Sequence, residues 1–111
     1  MKKHKAILTF GEIIRDRRDS MNLSIREVAT QINIDPSLLG KIERNERQPT
    51  SEQVELLANY LKLNLSELKI SVLSDLVVYK IMETANEMEI LKVAEQKVKY
   101  LKNINEKNTS I

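Results

Sequence analysis

The 111-residue chain has no cysteine, no tryptophan, two glycines and one histidine. Without cysteine, disulfides, thiol catalysis and zinc fingers are excluded, and a reducing compartment is natural. Two glycines are too few for a phosphate-binding glycine loop, and no nucleophile elbow or pair of catalytic carboxylates accompanies the lone His4. We therefore expect a protein that is not an enzyme and that needs no metal, cofactor or small-molecule ligand.

Long apolar runs and a strong excess of one charge are also missing. No stretch approaches the roughly 20 apolar residues that span a bilayer, and the apolar run after the basic residues 2–5 is too short for a signal peptide. This predicts a cytoplasmic protein that does not enter membranes. Lys and Arg number 18 against 16 Asp and Glu, which gives a net charge of +2. A basic surface for nucleic acid must therefore come from local clustering.

Residues 24–43 predict two short helices joined by a tight turn. Ser24 with Glu27 three residues later has the pattern of a capping box, and Asp35 followed by Pro36 marks the start of a second helix. Asn33 lies in the turn, where a left-handed residue is needed and asparagine is tolerated. The apolar positions of the two helices are Val28, Ala29, Ile32, Ile34, Leu39 and Ile42. This combination is typical of a DNA-binding helix-turn-helix.

The similarity extends beyond this motif. Over residues 10–68 the chain resembles the XRE-type (phage Cro/repressor) helix-turn-helix domains. The segments that carry the resemblance are 10–18, 41–45, 49–50 and 58–68. The chain departs from the family at Ile25, where a phosphate-binding Gln is usual, and at Asn33, where Gly is usual. The resemblance implies an all-α, five-helix repressor-like domain.

The resemblance also implies roles for individual residues. The second helix of the motif enters the major groove, where its outward face reads base edges. The residues on that face are Pro36, Ser37, Gly40, Lys41 and Arg44. The residues expected to contact phosphates are Ser24, Arg26, Arg47, Gln48 and Thr50. Arg18 and Glu43 are expected to form a structural ion pair that holds the recognition helix against the first helix.

Two details of the recognition helix bear on DNA reading. Lys41 is the leading candidate for contact with guanine O6 and N7, and Arg44 is the next. Gly40 has two interpretations, which the sequence leaves open. It is either a tolerated glycine, at a cost of about 1 kcal/mol of helix stability relative to Ala, or a position where a missing side chain lets the helix backbone approach the groove more closely.

The C-terminal third is apolar on more sides than one buried stripe needs. Its β-branched residues favour a strand at 76–79, but no partner strand or hairpin turn is visible nearby, so we predict a helix. A last helix from about Glu87 to Lys102 follows. A second copy of the chain is the expected cover for the apolar surface. The residues expected in the dimer interface are Leu73, Leu76, Val77, Ile81, Val98 and Leu101.

These patterns divide the chain into four predicted parts. They are a basic N-terminal arm at 1–8, a helix-turn-helix DNA-binding domain at 9–69, a helical dimerisation extension at 70–104 and a disordered tail at 105–111. The expected fold is thus all-α, with a five-helix repressor-like helix-turn-helix domain followed by a C-terminal helical dimerisation extension.

The expected function is sequence-specific transcriptional regulation, by default repression, with double-stranded DNA and a second copy of the chain as partners. A homodimer would bind a palindromic operator. The whole pattern, including residues 91–101, resembles the small regulators of restriction–modification genes, which makes a controller of such genes the leading interpretation. The alternatives are an antitoxin-type or phage-type repressor, or a protein–protein adaptor that uses the C-terminal helices.

Overall fold

The computed structural model describes residues 7–109, and its regular elements in that range are α-helices without strands. The helices are α1 Phe10–Ser20, α2 Ile25–Gln31, α3 Pro36–Glu43, α4 Ser51–Leu61, α5 Leu65–Ile81 and α6 Glu87–Thr109. The all-α prediction is confirmed, and residues 76–79 are helical. None of the helices, over the described residues, has the length and apolar content needed to cross a membrane.

Polar side chains fix where the helices begin. Capping boxes join Thr9 to Glu12, Ser24 to Glu27 and Thr50 to Gln53, at the starts of α1, α2 and α4. In α3 the Asp35 carboxylate accepts the Ser37 backbone N–H at 2.8 Å, and Pro36 occupies the first turn. The Asn64 side chain accepts the Glu67 N–H at 2.9 Å at the start of α5. Each cap satisfies a backbone donor that the helix itself leaves free.

Left-handed residues end the first four helices. Asn22, Asn33, Asn45 and Lys62 have φ values of 56°, 58°, 62° and 57°. After each of them the next backbone N–H bonds to the carbonyl five residues back, as Glu46 N–H does to Lys41 O at 2.8 Å. This is the Schellman arrangement, which usually employs glycine. Here asparagine takes that place three times, because it tolerates the left-handed region better than most residues.

One apolar core holds α1 to α4 and the start of α5 together. Its buried residues are Phe10, Ile14, Val28, Ala29, Ile32, Leu39, Ile42, Val54, Leu57, Ala58, Leu61 and Leu68. Within it α3 packs against α1 and α2, while α4 packs against α1. The inward side of α3 is therefore fixed by two neighbouring helices, and its other side faces outward.

The chain divides into two compact units between Leu76 and Val77. The first unit includes α5 as far as Leu76, whereas the sequence predicted the end of the DNA-binding domain at residue 69. Val72 of α5 packs against the core, and the Asp75 carboxylate accepts the Phe10 N–H at 2.8 Å. These contacts make this part of α5 a component of the first unit.

The structure tests the predictions at the two chain ends only in part. Residues 1–6 of the predicted basic arm lie outside the described residues. In the second unit α6 continues to Thr109, so residues 105–109 are helical and the predicted end near Lys102 is wrong. The physical reason is that residues 103–109 contain no glycine or proline to stop the helix. Residues 110–111 of the predicted tail lie outside the described residues.

Candidate nucleic-acid interface

The two sides of α3 differ sharply in character. Leu39 and Ile42 are fully or almost fully buried in the core, whereas Ser37, Lys41 and Arg44 are exposed. These outward positions are spaced three to four residues apart, so they share one face of the helix. An eight-residue helix thus presents a polar and basic stripe while its apolar stripe anchors it.

A buried ion pair connects α1 to the end of α3. Arg18 Nε donates to Glu43 Oε2 at 2.7 Å and Arg18 Nη2 donates to Glu43 Oε1 at 3.0 Å. The third nitrogen, Nη1, donates to the Leu23 carbonyl at 2.9 Å. The Glu43 hydrogen bond raises the pKa of Arg18 despite its burial. The geometry is a bidentate fork, which fixes orientation as well as distance.

A second connection between α1 and α3 lies at Gly11. A Cβ at this position would lie 2.4 Å from the Glu43 carbonyl oxygen and 2.5 Å from that of Ile42. Nearby, the Asn45 side-chain amide donates to Thr9 Oγ1 at 2.9 Å. The start of α1 therefore lies directly against the C-terminal carbonyls of α3. The sequence analysis did not predict this contact. Its one signal is Gly11 itself, because a glycine inside a helix that needs no left-handed residue there indicates a close approach of another backbone.

Arg44 covers Gly40 on the outward face. Gly40 is buried, and a Cβ there would lie 3.1 Å from Arg44 Nη1. The Arg44 guanidinium is in turn bound by Glu46, with Nε to Oε2 at 3.0 Å and Nη2 to Oε1 at 3.4 Å. Arg44 hydrogen bonding lowers the pKa of Glu46, and the pKa of Arg44 is raised by the same contact. In this conformation Arg44 lies between Gly40 and a base. Neither interpretation of Gly40 from the sequence considered that the Arg44 side chain would occupy this space.

Ser37 and Lys41 occupy the middle of the outward face. The Ser37 hydroxyl donates to Asp35 Oδ1 at 2.7 Å, in addition to the capping N–H. These hydrogen bonds lower the pKa of Asp35, with the hydroxyl making the larger contribution. The oxygen of Ser37 keeps its lone pairs for an incoming donor. Lys41 is exposed, and Pro36 is half-buried at the first turn.

The residues predicted to contact phosphates are all exposed and lie around α3. Ser24 and Thr50 cap α2 and α4, so their hydroxyl oxygens already accept backbone N–H groups of Glu27 and Gln53 at 3.0 and 3.1 Å. Arg26 lies in the first turn of α2, and Arg47 and Gln48 lie in the loop between α3 and α4. Their exposure and the helix N-termini beside them suit anion binding.

Most of the residues predicted for the dimer interface have exposed side chains. Leu73 is 63% exposed and Leu76 is 43% exposed, both in the first unit. In the second unit Val77, Val98 and Leu101 are exposed and Ile81 is half-buried. Among the residues of the second unit whose side chains the structure describes, 77–106, none is fully buried. Residues 77–106 therefore form no buried core among themselves.

The fold and the outward face of α3 define a helix-turn-helix domain. Residues 14–68 match the helix-turn-helix family model HTH_3. This domain of the chain belongs to the XRE-type helix-turn-helix family.

Solved structures with the same fold include two regulators. The restriction-modification controller protein C.AhdI from Aeromonas hydrophila has a TM-score of 0.51 and 28% identity, over 59% of this chain and 98% of that chain. The master regulator for biofilm formation SinR, solved in complex with DNA, has a TM-score of 0.51 and 26% identity, over 54% of this chain and 97% of that chain.

A curated relative matches the domain at higher identity. It is an uncharacterized protein of Haemophilus influenzae, 36% identical over 56 residues, which are 50% of this chain. The match spans 18% of the relative's length. The relatives thus support the domain and its fold, and they do not establish the activity of the whole chain.

Proposed function

We propose that the chain is a sequence-specific DNA-binding transcriptional regulator that acts on a palindromic operator as a homodimer. The observation that carries this proposal is the outward face of α3. It places Ser37, Lys41 and Arg44 on one exposed stripe, while the bidentate Arg18–Glu43 pair and the core fix the opposite side. A rigid helix with polar side chains on its free face is what major-groove reading needs.

The proposed mechanism assigns two kinds of contact. The start of α3 enters the major groove, and Lys41 donates to guanine O6 and N7 while Arg44 contacts a neighbouring base. Arg26, Arg47 and the caps at Ser24 and Thr50 contact phosphates on either side, with Gln48 beside them. Most of the affinity then comes from phosphate contacts and falls steeply with salt, while the preference for one sequence comes from α3.

The homodimer is supported by the second unit, which has no buried side chain in its described part. Burial of apolar surface stabilises by roughly 25 cal/mol per Å², so the exposed side chains of Val77, Val98 and Leu101 in this unit favour association. A second copy supplies the same surface through a two-fold axis. Two recognition helices related by that axis would match a palindromic site with half-sites about one helical turn apart.

The most detailed part of the proposal is the set of genes that the regulator controls. The resemblance to C.AhdI, described as a restriction-modification controller protein, supports control of restriction–modification genes. Repression by occlusion of a promoter is the default mechanism for such a regulator. An antitoxin-type or phage-type repressor would employ the same α3 surface, so the identity of the neighbouring genes separates these settings.

The experiment that tests DNA reading is selection from a pool of randomised duplexes by the full chain, followed by sequencing. We expect an enriched motif with two-fold symmetry. Enrichment of a motif without symmetry would contradict the homodimer, and an unenriched pool would contradict sequence-specific binding altogether. Repetition with Lys41→Ala, Ser37→Ala and Arg44→Ala then assigns base pairs to side chains.

The experiment that tests association is sedimentation equilibrium on the full chain. The variant Val98→Gln/Leu101→Gln removes two exposed apolar side chains of α6, and Lys99→Gln/Lys102→Gln is its matched control with the same spacing. We expect a wild-type dimer at tens of micromolar, weakened by the first pair and retained by the second. A monomeric wild type would contradict the homodimer and favour a protein–protein adaptor, because the apolar surface would then belong to another partner.

A further inference from the structure

Glu46 follows the recognition helix and lies outside the groups of residues expected to contact DNA. We propose that Glu46 is a positioning residue for base recognition: it holds the Arg44 guanidinium across Gly40 so that the free edge of Arg44 reads a guanine. This rests on the proposed DNA-binding function and names a residue that sets its specificity.

The position of Glu46 is fixed by the backbone at the end of α3. Asn45 has a φ of 62°, which turns the chain back along the helix. The Glu46 N–H then donates to the Lys41 carbonyl at 2.8 Å, which completes the Schellman arrangement. Glu46 is thereby held beside the outward face of α3, within reach of the side chain two residues earlier.

The contact between Glu46 and Arg44 uses one particular edge of the guanidinium. Nε and Nη2 donate to the two carboxylate oxygens at 3.0 and 3.4 Å. A guanidinium offers five N–H donors in a rigid fork, so this side-on contact leaves the Nη1–Nη2 edge for a second partner. That edge matches guanine O6 and N7, the most common specific contact in the major groove.

Gly40 supplies the space for this arrangement. Arg44 Nη1 lies 3.1 Å from the point where a Cβ would stand, so a side chain at position 40 would push the guanidinium outward by at least a few tenths of an ångström. Both charged side chains remain more than half exposed, at 57% for Arg44 and 54% for Glu46. An exposed ion pair of this kind contributes little to stability, which makes a role in orientation the better explanation for the pairing of a carboxylate with a DNA-facing arginine.

The test compares base preferences of the full chain and its variants on one pool of randomised duplexes. The variants are Glu46→Gln, Arg44→Ala and the double variant, with Glu55→Gln as a control that removes an exposed carboxylate on α4. We expect Arg44→Ala to lose its preference for guanine at one base pair of each half-site, about tenfold. We expect Glu46→Gln to lose most of that same preference, with no further loss in the double variant.

The outcomes separate this proposal from the proposed function. Retention of the wild-type base preferences by Glu46→Gln, with uniformly higher affinity for all duplexes, would show that Glu46 acts only as a repelling charge and would overturn the proposal. Unchanged preferences in Arg44→Ala would overturn it as well. A wild-type chain that selects no motif would instead refute the proposed function. Since base preference is a ratio of affinities within one sample, a change in the folded fraction does not affect it.

Discussion

The contact of Gly11 with the end of α3 gives the sharpest stability prediction. In Gly11→Ala the new methyl would lie 2.4 Å from the Glu43 carbonyl oxygen, and ordinary van der Waals contact begins near 3.4 Å. The obstructing atoms are backbone carbonyls that cannot rotate away, so α1 and the end of α3 must separate. Overpacking of this kind costs about 1–3 kcal/mol, and alanine recovers at most about 1 kcal/mol of helix propensity.

Separation of α1 from α3 also strains the Arg18–Glu43 fork, so we expect a net loss near 2 kcal/mol in the free energy of unfolding. For a domain of this size that corresponds to a melting temperature lower by roughly 10 °C. Thermal and urea unfolding followed by circular dichroism measures the change. The matched control is Gly40→Ala, in which the methyl meets only the mobile end of the Arg44 side chain at 3.1 Å.

We expect Gly40→Ala to raise stability by up to about 1 kcal/mol, because its neighbour can move and alanine favours the helix. The two variants therefore test the same substitution with opposite expected signs. A Gly11→Ala chain as stable as the wild type would refute the close approach of α1 to α3. An equal loss in both variants would show that the Arg44 side chain is not free to move.

Three further predictions concern the Arg18–Glu43 ion pair, the partly buried carboxylate of Asp75 and base reading by Lys41. Glu43→Ala leaves the Arg18 cation buried without its main partner, which should lower the free energy of unfolding by about 3 kcal/mol; unchanged melting with weaker DNA binding would instead place Glu43 on the DNA. Partial burial raises the pKa of Asp75. At pH values around the ordinary carboxyl pKa and just above it, the folded chain therefore binds more protons than the unfolded chain, and its stability increases as the pH falls. In Asp75→Asn the side-chain amide oxygen can still accept the Phe10 N–H. We expect this variant to match or exceed wild-type stability at pH 7 and to lose that advantage toward pH 4, which melting at several pH values measures. A variant less stable than the wild type at pH 7 would contradict this reasoning. Lys41→Ala should cost about 1–3 kcal/mol on the selected duplex and relax one base pair per half-site, whereas equal losses on selected and scrambled duplexes would make Lys41 a phosphate contact.

The helix-turn-helix domain could be predicted from the sequence because its signals are local. Caps at Ser24 and Asp35 and a left-handed Asn33 each depend on residues within one turn. The apolar positions Leu39 and Ile42 follow the helical period and are buried. Arg18 and Glu43, 25 residues apart, could be paired only through the family resemblance, because nothing in their spacing joins them.

The remaining features depend on contacts between distant residues or on side-chain conformation. The need for glycine at Gly11 arises from carbonyls more than thirty positions later in the chain, which no local pattern shows. The cover that Arg44 gives to Gly40 depends on the conformation of the Arg44 side chain, which Glu46 binds. The contact between Phe10 and Asp75 joins residues 65 positions apart, so no local pattern in the sequence indicates it.

The most direct test of the central claim is the ratio of affinities of the full chain for its selected duplex and for a scrambled duplex of equal length. Both titrations would be made by fluorescence anisotropy at the same physiological salt concentration. If α3 reads bases, the ratio should be at least about 10³, the lower end for specific protein–DNA complexes. A ratio near one, with both affinities falling equally with salt, would mean that the surface binds phosphates without reading sequence and would contradict the account.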